Sequence, residues 1–195
     1  MHTIKDEVVY EQIINKSRFI CYLFPVSSLE EVNEKLSGIK KKHYDATHNC
    51  YSYILGDGGQ IAKNSDDGEP SQTAGVVIYE VLKKNNLTNV LAIVTRYFGG
   101  IKLGAGGLIR AYGSSTAKAL ELAEIIKIEK YVTMILDFDY QYMNQISNLI
   151  SEYELIDKTF HEKVCLEFLV PEDSYQSLID LLIDITKNTI TIKVY

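Results

Sequence analysis

The 195-residue chain is 46% hydrophobic and 24% charged, with a formal net charge of −6, 12 glycines and 3 prolines. These counts exclude a disordered, collagen-like or proline-rich linker protein, and no apolar run approaches the length of a membrane-spanning helix. The N-terminus lacks the basic-then-apolar order of a secretory signal, so the expectation is a cytoplasmic protein with no membrane partner. Three scattered cysteines, with no CxxC pair, form neither a disulfide framework nor a zinc motif.

The composition changes near residue 130. Residues 1–130 hold 16 basic and 15 acidic side chains, whereas 131–195 hold 4 and 11. Six of the 12 glycines fall between Gly99 and Gly113, and none follows. No flexible Gly/Ser linker marks the change. This pattern predicts two domains, 1–130 and 131–195, joined by a short ordered connection.

In chain order, strands are predicted at 8–13 and 18–24. Ser28 with Glu31 then reads as a capping box opening a helix striped by Val32, Leu36 and Ile39. Lys40, Lys41 and Lys42 suit the negative end of that helix. A strand at 51–55 runs into a turn over Gly56–Gly59. A helix at 73–84, capped by Ser71 or Thr73, a strand at 90–97 and a helix at 108–124 complete the first domain. Beyond residue 130, strands at 131–138, 155–160, 164–170 and 189–194 alternate with apolar stripes at Met143, Ile146, Leu149, Ile150 and at Leu178, Leu181, Leu182, Ile185. The order βαββαβ is that of a ferredoxin-like plait. The predicted class is therefore α+β, an N-terminal α/β sandwich followed by a C-terminal plait.

Three segments carry candidate chemistry. The first, VTRYFGGIKLGAGGLIRAYGSS, reads as strand, glycine-rich loop and helix, an arrangement that lets backbone N–H groups receive an anion. It lacks the glycine at 109 needed for GxGxxG, and no GK[ST] occurs, so no nucleotide cofactor is implied. The chain has 17 lysines and only 3 arginines, yet Arg96 and Arg110 bracket this loop and Lys102 sits within it. Gly99, Gly100, Gly104, Gly106 and Gly107 supply the tight backbone, and Tyr97, Phe98 and Tyr112 offer stacking faces. Equally, the glycines permit close packing while the arginines pair with carboxylates. The second, NSDDGEPSQTAG, groups Asp66, Asp67 and Glu69 before a helix. These carboxylates can cap it, pair with Arg96 and Arg110, or hold a divalent cation, although the spacing of a calcium loop is absent. In the third, KKHYDATHNC, His48 and Cys50 share a strand face with no identifiable third group to orient them. A buried thiol beside a hydrogen-bonded histidine is the simpler reading.

Taken together, SRFICYLFPV, HYDATHNCYSYIL, SDDGEPSQTAG and TRYFGGIKLGAGGLIRAYG resemble the successive motifs of the YigZ/IMPACT family over residues 17–113. Two positions depart from the pattern: Gln72 stands where glycine is usual, and Tyr51 where tryptophan is common. The resemblance implies a first domain folded like domain IV of elongation factor G and a second like that factor's domain V. It also implies a link to translation, since eukaryotic relatives regulate it under starvation by competing for the activator of an initiation-factor kinase.

Two functions follow as expectations. The first is a non-enzymatic binding protein that contacts rRNA, tRNA or the ribosome through its first domain, leaving the acidic second domain to a protein partner. Arg96, Lys102 and Arg110 would meet phosphate, with Tyr97 or Tyr112 stacking. The second is a hydrolase or phosphoryl-handling enzyme built from the glycine-rich and acidic loops.

Overall fold

The computed structural model describes residues 1–195, which divide into two compact units, Met1–Ile128 and Glu129–Tyr195. The protein is mixed α/β, with sheets of five, four and two strands. No helix is long and apolar enough to cross a membrane.

In the first unit, β1 (His2–Ile4) is followed by the hairpin β2 (Val8–Ile14) and β3 (Ser17–Pro25). The hairpin turns on Asn15 and Lys16, both at positive φ (46° and 63°), the backbone twist that suits a two-residue connection. Next come α1 (Leu29–Lys42), β4 (His48–Leu55), β5 (Ile61–Ser65), α2 (Gly75–Lys84), β6 (Val90–Tyr97), α3 (Gly104–Glu121) and β7 (Ile125–Lys127). Five strands form an antiparallel sheet in the order β2-β3-β6-β4-β5. Short β1 pairs with β7, tying the chain's start to the segment after α3.

Both faces of the five-stranded sheet are covered, and β3 shows how the sequence encodes this. Phe19, Cys21 and Leu23 point into a core shared with Ile78 and Leu82 of α2 and with Leu108, Ala111 and Ala119 of α3. Their neighbours Ile20, Tyr22 and Phe24 point the other way, into a core shared with Val32 and Ile39 of α1. The near-continuous apolar run of β3 is what a strand buried on both sides requires.

Capping at α1 is shifted by one residue from a simple capping box. The Ser28 hydroxyl accepts from the Glu31 N–H, but the Glu31 carboxylate reaches back to the N–H of Ser27. Beyond that helix, Lys40 reaches Asp67 and Lys42 lies over the Tyr22 ring.

The second unit runs β8 (Tyr131–Phe138), a 3₁₀ turn at Tyr140–Tyr142, α4 (Met143–Leu149), β9 (Leu155–Phe160), β10 (Val164–Pro171), α5 (Tyr175–Thr186) and β11 (Thr191–Val194). Its strands form an antiparallel sheet in the order β11-β8-β10-β9. Met134, Leu136 and Phe138 alternate into one core with Val164, Leu166, Phe168 and Val170. Ile146 of α4 and Leu178 and Leu182 of α5 close that core.

Several predicted boundaries move. β1, β5 and β7 have no counterpart in the sequence pattern, because β1 and β7 are three residues long and the edge strand β5, IAKNS, is exposed without apolar alternation. α3 starts at Gly104 rather than 108, so Gly104, Gly106 and Gly107 are its first turn and not part of a loop. Glycine's low helix propensity conceals that start. α2 starts at Gly75, and neither Ser71 nor Thr73 caps it.

Candidate functional site

β4 and β6 are adjacent antiparallel strands, and their register places His48 opposite Arg96. The segment after β5 folds back over this point. It is held there by Asp66, whose Oδ1 accepts the Ala74 and Gly75 N–H groups at 3.0 and 2.8 Å while its Oδ2 accepts that of Gln72. The cap of α2 thus comes from eight residues upstream. Gly75 is required at this junction, since a Cβ there would lie 2.6 Å from the Ser65 backbone. Asp67 accepts the Asn49 N–H and pairs with Lys40. Both aspartates are therefore spent on holding the loop, and neither forms a metal cluster with Glu69.

Glu69 does a different job. It is buried, and its Oε1 accepts from Arg96 Nη1 at 2.6 Å and from the Tyr112 hydroxyl at 2.8 Å. Its Oε2 lies 3.8 Å from His48 Nε2. Arg96 is 5% exposed; its guanidinium lies 5.5 Å from the ring centres of both Phe19 and Phe98, and its buried Nε has no partner. Two aromatic faces and one carboxylate fix its plane.

Tyr112 is fully buried between Glu69 and Cys50, packed edge-on against Phe19. Burial, with the neighbouring thiol and carboxylate, pushes its hydroxyl far above the ordinary phenol value. It therefore cannot stack on a ligand, contrary to the sequence-based expectation. Nor can Tyr97 join the site: alternation along β6 sends it to the opposite face from Arg96. There it bonds His43 and Asp45 and packs against the α1 core. The aromatic side chain on the Arg96 side is Phe98, 46% exposed just beyond the end of β6.

His48 and Cys50 do share a face, and both turn toward the 66–67 segment. Cys50 Sγ donates to the Asp66 carbonyl at 2.9 Å and His48 Nδ1 donates to that of Asp67 at 2.8 Å. A carbonyl only accepts, so Nδ1 carries a proton in this bond, and Nε2 is turned toward Glu69. Burial pushes the Cys50 thiol up to about 12, the opposite of an activated nucleophile.

These groups floor a cleft of about 380 Å³ that continues past Phe98 and Lys102 to the start of α3 at Gly104 and Ala105. Leu103, at the helix N-cap, makes no side-chain capping bond, and no acidic residue occupies the first turn. The free N–H groups of that turn and the positive end of the helix dipole are left for another partner. Arg110, one turn on, runs back beside Gly106, its Nη1 3.6 Å from where a Cβ would sit. Lys102 and Arg110 are exposed and form no ion pair. The glycines differ in role. A Cβ on Gly99 would overlap the Lys16 carbonyl, Gly100 and Gly104 take φ of +85° and +70°, and a Cβ on Gly107 would press on Leu103. Hence Arg96, Glu69, His48, Lys102, Gly104 and Ala105 converge, while Tyr97, Tyr112, Asp66, Asp67, Gly106, Gly107 and Arg110 do not line the cleft.

The Impact N-terminal domain family matches residues 15–120 of this chain. The chain belongs to the IMPACT family. Every residue lining the cleft, from Thr47 to Leu108, falls inside the IMPACT match, and the second unit lies outside it. The chain is 43% identical to the IMPACT family member YvyE of Bacillus subtilis over 193 residues, covering 98% of this chain and 89% of that one. It is 32% identical to the IMPACT family member YigZ of Escherichia coli, over 81% and 79% of the two chains. The IMPACT homolog of Dictyostelium discoideum is 41% identical over 93 residues, 46% of this chain and 26% of its own. A solved crystal structure of a protein described as hypothetical superposes with a TM-score of 0.65 and 28% identity, covering 98% of this chain and 95% of that one.

Proposed function

We propose that this IMPACT family protein is a non-enzymatic cytoplasmic binding protein of the translation apparatus that holds RNA phosphate through its first unit. The observation that carries the reading is the uncapped first turn of α3 with the exposed, unpaired Lys102 at the mouth of a cleft, and a second unpaired cation, Arg110, further along the same helix beside Gly106. Helix N-termini and arginine forks are the standard receivers of phosphate. Arg96 serves as a rigid base for that cleft, its charge largely answered by Glu69. A hydrolase reading loses support because Asp66 and Asp67 are committed to backbone N–H groups and Cys50 is held as a thiol.

In this reading the first unit is an elongation-factor-G-domain-IV-like sandwich and the second a ferredoxin-like plait. The second assignment is supported by its strand-helix-strand-strand-helix-strand sequence and its sheet order. With 4 basic and 11 acidic residues beyond position 130, the second unit repels phosphate and is suited to a basic protein partner. Binding of the full chain to rRNA, tRNA and ribosomes tests the reading. Affinity that falls as salt rises supports it, and absence of binding to all three overturns it.

A further inference from the structure

The two edges of the five-stranded sheet are finished differently. β5 is short and polar, IAKNS, with Lys63 and Asn64 exposed on it, which discourages a further strand. β2, at the other edge, is seven residues long, VVYEQII, and carries a single charge. Its side chains alternate about the sheet. Val8, Tyr10 and Ile14 pack onto the core beneath α2 and α3. Val9 and Ile13 stand on the α1 face beyond that helix's cover, 55% and 70% exposed.

The backbone of β2 is equally one-sided. Ile14 and Ser17 flank the two-residue turn as a bonded pair, so Val8, Tyr10, Gln12 and Ile14 direct their N–H and C=O groups to β3. Those of Val9, Glu11 and Ile13 point out of the sheet edge, an array that another extended strand matches.

The pattern of β2 complements itself. An antiparallel copy, related by a two-fold axis at Glu11, sets outward-pointing groups against each other and keeps both sheet faces continuous. In that register Val9 of each copy meets Ile13 of the other, which covers both exposed side chains. The two Glu11 carboxylates meet already neutralised, because Arg18 holds each through two bonds of 2.8 Å. On the opposite face α3 lies over β2 and β3. With strands about 4.8 Å apart, the two α3 helices come to about 10 Å across the axis, the ordinary distance of packed helices.

We propose that β2 is a dimer seam: two copies of this chain pair β2 with β2, antiparallel about Glu11, and join their five-stranded sheets into one. This goes beyond the RNA-binding reading and does not depend on it.

Sedimentation equilibrium of the full chain tests the proposal, together with amide hydrogen exchange followed by NMR. The mass rises with concentration to twice 22.1 kDa. In the dimer the Val9, Glu11 and Ile13 amides are protected alongside those of Val8, Tyr10 and Gln12. Val9→Lys with Ile13→Lys weakens association about a hundredfold or more and releases only the first three amides. Retained protection at Val8, Tyr10 and Gln12 verifies that the variant keeps its hairpin. A monomer at every concentration up to the millimolar range overturns the proposal. So does a dimer that the double variant leaves intact, or one whose Val9, Glu11 and Ile13 amides exchange freely, since either locates the contact elsewhere.

Discussion

Arg96 and Glu69 form an ion pair closed off from solvent, Nη1 donating to Oε1 across 2.6 Å, with both side chains at least nine-tenths buried. It links β6 to the loop that caps α2, and the Tyr112 hydroxyl joins α3 to the same oxygen. One carboxylate oxygen thus ties together three elements that surround the cleft.

Removing Glu69 strands a buried guanidinium. Glu69→Ala should lower the stability of the first unit by about 3 kcal/mol or more, read from urea unfolding. Adding Arg96→Met should recover much of that loss, because the pair's desolvation penalty disappears with it. A double variant as unstable as the sum of the single ones would show that packing, not charge, is at stake.

Gln72 occupies the left-handed region at φ 63°. The resemblance to YigZ/IMPACT motifs places glycine at this position, and the geometry supplies the reason: a side chain there is strained, while the backbone N–H must still reach Asp66. Gln72→Gly should therefore stabilise by about 0.5 kcal/mol, the relief of strain exceeding the added chain entropy. Thermal unfolding of the two proteins decides it.

His43 sits between two phenols, its Nε2 2.7 Å from the Tyr22 hydroxyl and its Nδ1 2.8 Å from that of Tyr97, which itself donates to Asp45. That chain of donors places the proton on Nδ1 and leaves Nε2 accepting from Tyr22. Burial first, then the charges of Lys42 and Arg18, lower the histidine's pKa from 6.5. A group whose folded pKa is depressed contributes stability above its unfolded pKa and loses it as pH falls. Stability should decline on acidification below about pH 6.5, and His43→Gln should flatten that decline in urea titrations at several pH values.

Cys21 and Cys50 carry thiols pushed up to about 12 by burial, while Cys165 is partly exposed. Iodoacetamide at pH 8 should label Cys165 in the native protein and the other two only after unfolding, as read by peptide mass spectrometry. The raised thiol values also predict a loss of stability as pH climbs from about 9, where the unfolded thiols ionise, toward about 12.

How far the sequence foretold the site depended on the kind of signal. Period-two alternation in β8 and β10 and the apolar stripes of α1 and α5 are written in side-chain type, and the elements stand where those patterns fall. β5 was hidden because an exposed edge strand needs no apolar face, and the start of α3 because glycine masks a helix. The segments carrying Arg96, Glu69 and His48 were visible, but which residues converge depends on strand register and on Asp66 folding the loop back. Tyr97 and Phe98 show the limit most sharply. Both lie within two residues of Arg96 in sequence and both are aromatic, and only the side to which each turns separates a core residue from the wall of the cleft.

The central claim is that phosphate meets Lys102 and Arg110 at the start of α3, and the salt dependence of RNA affinity tests it most directly. The logarithm of the binding constant should fall linearly with the logarithm of salt concentration. Lys102→Ala with Arg110→Ala should make that slope shallower by roughly 1.4, two phosphate contacts at about 0.7 each for single-stranded RNA. An unchanged slope in the double variant would contradict the account.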